Sequence, residues 1–311
     1  MARTTGVLDE KSIGIWYVVG AFITWGILPL YWKLFKQISA GEILAHRILW
    51  SFVFVAIMLI YQGRLKTVKE VILNPSSLLK VLLSSLLISS NWFIYIWAVN
   101  TEKVIEASLG YYINPLLTVA LGVIVLRERL SFWQLISFVI AVIGVLIMTI
   151  QYGMIPWVAI SLALTFALYS LAKKTTKLES MTAVAVETLL VTPLALGYII
   201  YKQAIGLGSI GNVPLGTTVM LMFSGILTAL PLLWFAQGAK RVPLSTVGFI
   251  QYLSPTISLF LGIFVFRESF TTTHMFSFAL IWVALALYSM SQTSFFQTIQ
   301  SKVFRRTNYS N

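Results

Sequence analysis

YINPLLTVALGVIVLRE, residues 112–128, returns 140 residues later as YLSPTISLFLGIFVFRE, residues 252–268. Seven of the 17 positions are identical: Tyr112/Tyr252, Pro115/Pro255, Leu121/Leu261, Gly122/Gly262, Val125/Val265, Arg127/Arg267 and Glu128/Glu268. Apolar matches arise by chance in a chain that is 58% hydrophobic, but proline, arginine and glutamate in register do not. An offset of 141 also pairs Trp16 with Trp157, Thr24 with Thr165 and Lys33 with Lys174. The chain reads as a tandem of two related halves.

The surroundings of the repeat set its solvent. Only 10% of residues are charged, against about 25% in ordinary soluble domains. Ile13–Trp32 contains no charge in 20 positions, enough for a helix to cross a hydrocarbon core roughly 30 Å thick. In lipid every backbone N–H and C=O must be satisfied within the protein, which leaves helix bundles and closed barrels, and long unbroken apolar runs select helices. Charges and turn residues delimit ten of them, at 13–33, 42–61, 78–98, 104–126, 131–150, 155–172, 180–201, 215–238, 244–266 and 271–290. The predicted fold class is all-α integral membrane, with ten transmembrane helices as two inverted five-helix repeats, 13–150 and 155–290. Residues 1–12 form a short N-terminal segment, Gln62 to Ser77 a basic linker, and 291–311 a polar tail expected to be mobile. The first apolar run is too long for a signal peptide and reads as the first retained span.

Cytoplasmic loops carry the excess of Lys and Arg. With the N-terminus inside, the inner segments hold 16 such residues and the outer loops five. Both termini are therefore expected in the cytoplasm of a multi-pass protein of the bacterial cytoplasmic membrane. Five spans per half is an odd number, so the second half enters the membrane upside down. Such inverted repeats build many secondary transporters, with the solute site near the midplane between the halves.

Pro115 and Pro255 fall at equivalent places in the fourth and ninth spans. A mid-helix proline removes a hydrogen bond and frees the carbonyl four residues earlier, here those of Tyr111 and Gln251. Asn114 and Ser254 sit just before each proline, and Tyr112 and Tyr252 just before those. Kinks that serve packing alone are the plainer reading of either proline; their repetition points to a site. Asn91, Trp92 and Tyr95 in the third span, Thr165 and Tyr169 in the sixth, and Trp234 and Gln237 in the eighth add polar and aromatic groups that avoid lipid. Individually each is a packing or interfacial residue; together they outline an amphipathic cavity.

Ionisable groups inside spans are costly. The candidates for coupling or gating are His46 and Arg47 in the second span and Glu187 in the seventh. Arg47 and Glu187 are equivalents under the 140-residue offset, and inversion separates them in depth by about 12 Å. Each is expected near a different mouth of the cavity, Glu187 as a proton or cation-coupling group and Arg47 as an anion contact, or else both bond only to neighbouring backbone. Arg127-Glu128-Arg129 and Arg267-Glu268 end equivalent helices, as a latch between halves or as helix caps and topology markers. His274 reads as structural or solvated.

Other chemistries are poorly supplied. There are no cysteines, which removes disulfides, thiolate metal sites and cysteine nucleophiles. Two histidines and few carboxylates offer no metal or hydrolase constellation, and Walker A, HExxH and Gly-x-Ser-x-Gly patterns are missing. The cluster Gly206-Leu-Gly-Ser-Ile-Gly211 follows no strand and reads as a flexible outer connection. The net charge of +12 lies mostly in short connections between apolar runs, not on the single face or arm of a nucleic-acid binder. No cofactor is expected, and no enzymatic activity; the expected partners are a small-molecule solute, the bilayer and a coupling proton or cation, with the oligomeric state open.

At His46-Arg47-Ile-Leu-Trp-Ser51, Asn91-Trp92, Glu106-Ala-Ser-Leu-Gly-Tyr-Tyr-Ile-Asn-Pro115, Glu187-Thr-Leu-Leu190 and Gln251-Tyr-Leu-Ser-Pro-Thr256, the chain resembles the drug/metabolite transporter superfamily, with two EamA-type repeats over about residues 12 to 290. More narrowly it is similar to the RarD branch, named for chloramphenicol sensitivity. The resemblance implies alternating-access carriage of small metabolites, often outward, driven by ion gradients or exchange. The competing reading is a membrane interaction or assembly protein that transports nothing, for which symmetric prolines and a polar cavity would be superfluous.

Overall fold

All ten apolar runs form helices long and apolar enough to cross a membrane. The computed structural model describes residues 9–35, 37–101, 103–267 and 272–292. Helix α1 spans Glu10–Trp32 and tightens into a 3₁₀ turn through Phe35. It is followed by α2 (Ala40–Tyr61), a short surface helix α3 (Leu65–Leu73), α4 (Pro75–Asn100), α5 (Val104–Ile124) and α6 (Phe132–Tyr152). The second half contains α7 (Trp157–Thr175), α8 (Ser180–Ala204), α9 (Leu215–Arg241), α10 (Leu244–Gln251), α11 (Leu253–Phe260) with a π-helical turn Leu261–Val265, and α12 (Thr272–Ser291). Local chemistry fixes several ends. Ser131 and Gln134 close a capping box on α6, and Gly153 ends that helix at φ 77°, where only glycine is unstrained. Asn74 caps α4, with Pro75 in the first turn.

The basic linker from Gln62 to Ser77 holds α3 and the start of α4. Two expectations need correction. The ninth span is not one continuous helix; its ladder breaks at Tyr252, between α10 and α11, three residues before Pro255, whose ring excludes the carbonyl of Gln251. The equivalent Pro115 leaves α5 unbroken. The segment Gly206–Gly211 is a pinned turn rather than a free connection. Gly206 and Gly211 take φ of 74° and 82°, and the buried Ser209 N–H donates to Glu42 Oε1 at 2.5 Å. The latch residue Glu268 and the tail from residue 293 lie outside the described residues.

Packing runs mainly between the halves. α1 lies against α9 and α11, α2 against α8 and α9, α4 against α7 and α8, α5 against α7 and α10, and α6 against α12. Exchanging each helix for its equivalent in the other half (α1 for α7, α2 for α8, α4 for α9, α5 for α10–α11, α6 for α12) turns this set of pairs into itself. Close approach depends on small residues. At Gly225 of α9 a Cβ would fall 2.2 Å from the carbonyl carbon of Trp50 in α2, and the Ser51 hydroxyl donates to the Gly225 carbonyl across that contact.

Carboxylates tie the elements together from a distance. Helix N-termini present unpaired N–H groups and a partial positive charge. Glu106 of α5 accepts from the Val158 N–H in the first turn of α7, at 3.2 Å. Glu128 accepts from the Leu244 and Ser245 N–H groups opening α10, at 2.6 and 2.8 Å. Arg127 adopts φ 56° beside it, and its equivalent Arg267 adopts 55°, a left-handed conformation that non-glycine residues rarely hold.

Glu128→Ala should cost about 2–4 kcal/mol, since two charge-assisted bonds across the halves are lost, and lower the Tm of the detergent-solubilised protein by roughly 4 °C or more. Glu70→Ala, at an exposed position of α3, should stay within about 0.5 kcal/mol.

Candidate functional site

Two of the ionisable groups singled out in the spans have opposite fates. Glu187 stands seven residues into α8 and Lys173 two residues before the end of α7, so at 1.5 Å per residue the carboxylate lies about 7–8 Å deeper. The four-methylene arm of lysine covers that distance. Lys173 Nζ reaches Glu187 Oε1 and Oε2 at 2.6 and 2.7 Å, and both side chains are almost fully buried. The Tyr169 hydroxyl donates to Oε2 at 3.4 Å, and its ring stacks on Phe235. The Ser85 hydroxyl holds the Glu187 backbone carbonyl. Lys173 therefore does not belong with the loop charges, where the shorter predicted helix had placed it.

A narrow crevice of about 10 Å³, room for about one water molecule, opens beside this pair. Trp92, Tyr169, Glu187, Ser89 and Thr188 line it together with aliphatic side chains of α2, α4, α8 and α9. The Ser89 hydroxyl is buried without a partner.

Arg47 makes no ion pair with Glu187. Its Nε donates to Thr228 Oγ1 at 3.1 Å, and its guanidinium lies 4.4 Å from the Trp32 ring centroid and 5.9 Å from that of Trp92. Tyr95 and Tyr111, whose rings meet edge to face at 6.1 Å, are its electrostatic neighbours. Among the described residues no carboxylate pairs with it. A guanidinium has five N–H donors. One charged hydrogen bond, worth about 1.5–3 kcal/mol, and two cation–π contacts, about 0.5–2 kcal/mol each, are of the order of the ~2.5–3.5 kcal/mol that is the lowest figure for a charge at a helix centre.

Equivalent positions in the two halves differ in exposure. Tyr111 is 49% exposed and its equivalent Gln251 is 2%; Tyr95 is 39% and its equivalent Phe235 is 0%. An offset of 141 makes Trp32 the counterpart of Lys173, so Arg47 on Trp32 and Glu187 on Lys173 are one contact in two chemistries. The first is half open; the second is sealed. Both amide atoms of Gln251 are buried without a partner on the sealed side.

The remaining candidates divide. Asn91 donates to the Leu162 carbonyl and Thr165 Oγ1 at 2.8 and 3.0 Å, clamping α4 to α7. Asn114 accepts from Thr118 within its own helix. Tyr252 donates to the Tyr112 carbonyl at 3.4 Å; both rings pack with Ala141, Val145, Ile281 and Ala284 of α6 and α12, away from the cleft. Pro115 and Pro255 are buried, and Ser254 is half-buried. Trp234 covers Gly20. Gln237 accepts from Arg241, which also bonds Glu10, at the end of α9. His46 accepts from Trp50 and meets Ser209 Oγ, so with Glu42 it anchors the 205–214 connection. Lys173 and Trp32, unnoticed in the sequence, could have been found by asking what the repeat offset pairs with each neighbour of Glu187 and Arg47.

Residues 12–150 and 154–290 each match the model of the EamA-like transporter family. The chain is 47% identical to an uncharacterized transporter, YojE, of Bacillus subtilis (strain 168), over 91% of this chain and 95% of that one. It is 40% identical to the protein RarD of Streptomyces exfoliatus, over 90% and 89%, and 37% identical to the protein RarD of Escherichia coli (strain K12), over 91% and 96%. A solved crystal structure superposes with a TM-score of 0.69 at 18% identity, covering 89% of this chain and 97% of the other, a likeness of fold.

Lys173→Met leaves Glu187 buried without a countercharge and should destabilise the protein by about 3–5 kcal/mol, whereas Lys173→Met with Glu187→Leu should recover most of that loss. Thermal unfolding of the three proteins in one detergent checks both outcomes.

Proposed function

Because this chain belongs to the EamA-like transporter family, in the RarD-like branch of the drug/metabolite transporter superfamily, we propose that it is a secondary carrier working by alternating access. It moves a small amphipathic solute across the bacterial cytoplasmic membrane, by efflux or exchange. Residues 13–150 and 155–290 act as inverted five-helix repeats, with segments 1–12 and 291–311 in the cytoplasm.

The observation that carries this reading is the unequal exposure of matched positions, Tyr111 against Gln251 and Tyr95 against Phe235. Inverted repeats that adopt two different conformations give one open and one closed mouth; exchanging the conformations exchanges the mouths. With both termini inside, the end of α7 and the start of α8 face the cytoplasm. The Lys173–Glu187 pair is then the inner seal, and Arg47 stands toward the outer mouth. Opening the inner side separates Lys173 from Glu187 and admits water to both. A coupling proton or cation has a place to act there, by replacing Lys173 as the partner of Glu187. An assembly protein would have no use for a sealed charge pair matched, at the symmetric position, by a half-open arginine stacked on an indole.

The absence of native cysteines makes the reading directly testable, because an introduced thiol is the sole one. Tyr111→Cys should react with a membrane-impermeant maleimide applied from outside. Gln251→Cys should resist the reagent applied from inside, and react about tenfold faster or more once Glu187→Gln breaks the seal. A Gln251→Cys rate that Glu187→Gln leaves unchanged would remove the inner-seal assignment, and a Tyr111→Cys thiol reached only from inside would reverse the orientation.

A further inference from the structure

We propose that Arg47 is the receptor for a carboxylate on the transported solute, so that the substrate class is a small organic monoanion with a flat or aliphatic apolar body. The inference rests on the carrier reading and deepens it.

Arg47 sits where four helices converge: Thr228 comes from α9, Trp32 from α1, Trp92 and Tyr95 from α4, and Tyr111 from α5. Its Nε is occupied by Thr228, and no carboxylate meets the guanidinium among the described residues. The planar fork suits a carboxylate held by two parallel bonds.

The two halves provide an internal control. At the matching position Glu187 has its own countercharge, Lys173, almost fully buried with it. The counterpart of Lys173 is Trp32, which presents a π face and no charge. One half thus neutralises its buried charge internally while the other leaves a cation ringed by aromatic surface. Among the described residues, the carboxylates on the same side of the bundle are committed elsewhere, Glu42 to Ser209 and Glu106 to Val158.

The surroundings describe the rest of the solute. Trp32 and Trp92 offer faces against which an apolar body can lie, and Tyr95 and Tyr111, half-exposed residues whose hydroxyls bond each other, border its edge. Among the described residues nothing anionic in this ring matches an ammonium group, and Glu187 is held by Lys173. A simple carboxylate therefore fits better than a zwitterion.

Purified protein in detergent, titrated with phenylacetate, L-phenylalanine and the neutral phenylacetamide while unfolding is followed, tests this. Phenylacetate should raise the Tm and bind about tenfold tighter or more than phenylacetamide, with L-phenylalanine between them. Arg47→Gln should abolish the preference while folding as well as the parent or better, because it removes an unneutralised charge. Arg47→Lys should keep part of the preference, and serves if the glutamine variant fails to fold. Equal binding of acid and amide, a preference undiminished in Arg47→Gln, no stabilisation by any carboxylate up to millimolar concentration, or stabilisation by phosphatidylglycerol alone would each overturn the proposal. Counterflow of labelled phenylacetamide in proteoliposomes separates the two readings: movement of the amide as fast as the acid refutes the anion receptor and leaves the carrier standing, whereas binding of phenylacetate without movement of either refutes the carrier.

Discussion

A polar group in hydrocarbon must find its partner within the protein, and most of the internal wiring of this molecule follows from that rule. Asp9, Glu10, Glu70 and Glu179 are exposed, but the other described carboxylates are drawn into the bundle. Glu106 and Glu128 reach across to the first turns of α7 and α10, and Glu42 holds the Ser209 N–H of the 205–214 turn. Glu179 and Thr182 do the equivalent work at the start of α8, where Thr182 also meets Thr67 of α3. The Glu42, Glu106 and Glu128 bonds join elements far apart in sequence, so these carboxylates fix helix register as well as satisfying orphan N–H groups. Against that background Arg47, inside a span, meets no carboxylate among the described residues.

The same rule explains why the halves are not separate bodies. A five-helix half with α1 and α2 facing lipid on all sides would expose Ser51 and the Gly225 contact it serves. Instead, α1, α2, α4 and α5 each find their main neighbours in the other half, and the largest apolar cluster draws on both, from Val18 and Val55 to Phe235 and Val247. Folding of either half therefore waits on the other. Relative motion has to be a shift of helices within one interleaved bundle.

The helices were legible in the sequence because length and hydropathy are local or strictly periodic. Helix ends fell within three residues of expectation, since charges and prolines mark them directly. The site was only partly legible. Trp92, Tyr169 and Glu187 do meet at one cleft, but Tyr112 and Tyr252, the most repeated residues, serve the α6 and α12 packing instead; a repeat signals symmetric constraint, and symmetric packing satisfies it as well as symmetric binding does. Lys173 escaped because a lysine near a helix end reads as a loop charge, and only its side-chain reach brings it to a carboxylate deeper in the membrane. The break at Tyr252 escaped for a different reason: Pro115 and Pro255 are the same residue in the same register, yet only one breaks its helix. Neighbours outside the helix, here α6 and α12 together with α1, decide between those outcomes.

An ion pair at the sealed mouth has an energetic logic that an apolar plug lacks. A buried pair gains little net stability over hydrophobic residues of equal volume, because desolvation consumes most of the Coulombic gain. In the proposed carrier cycle, opening that mouth would rehydrate Lys173 and Glu187 and so keep the two states close in free energy, even though the pair is tightly bonded when buried. An apolar seal would behave oppositely: each buried side chain adds about 1.5–3 kcal/mol to closure and receives nothing back on exposure. A carrier must visit both states at comparable cost, since a population shift from 1:99 to 99:1 already requires about 5.5 kcal/mol of differential binding. A seal whose parts are at home in water keeps that difference within what a single small solute and a coupling ion can supply.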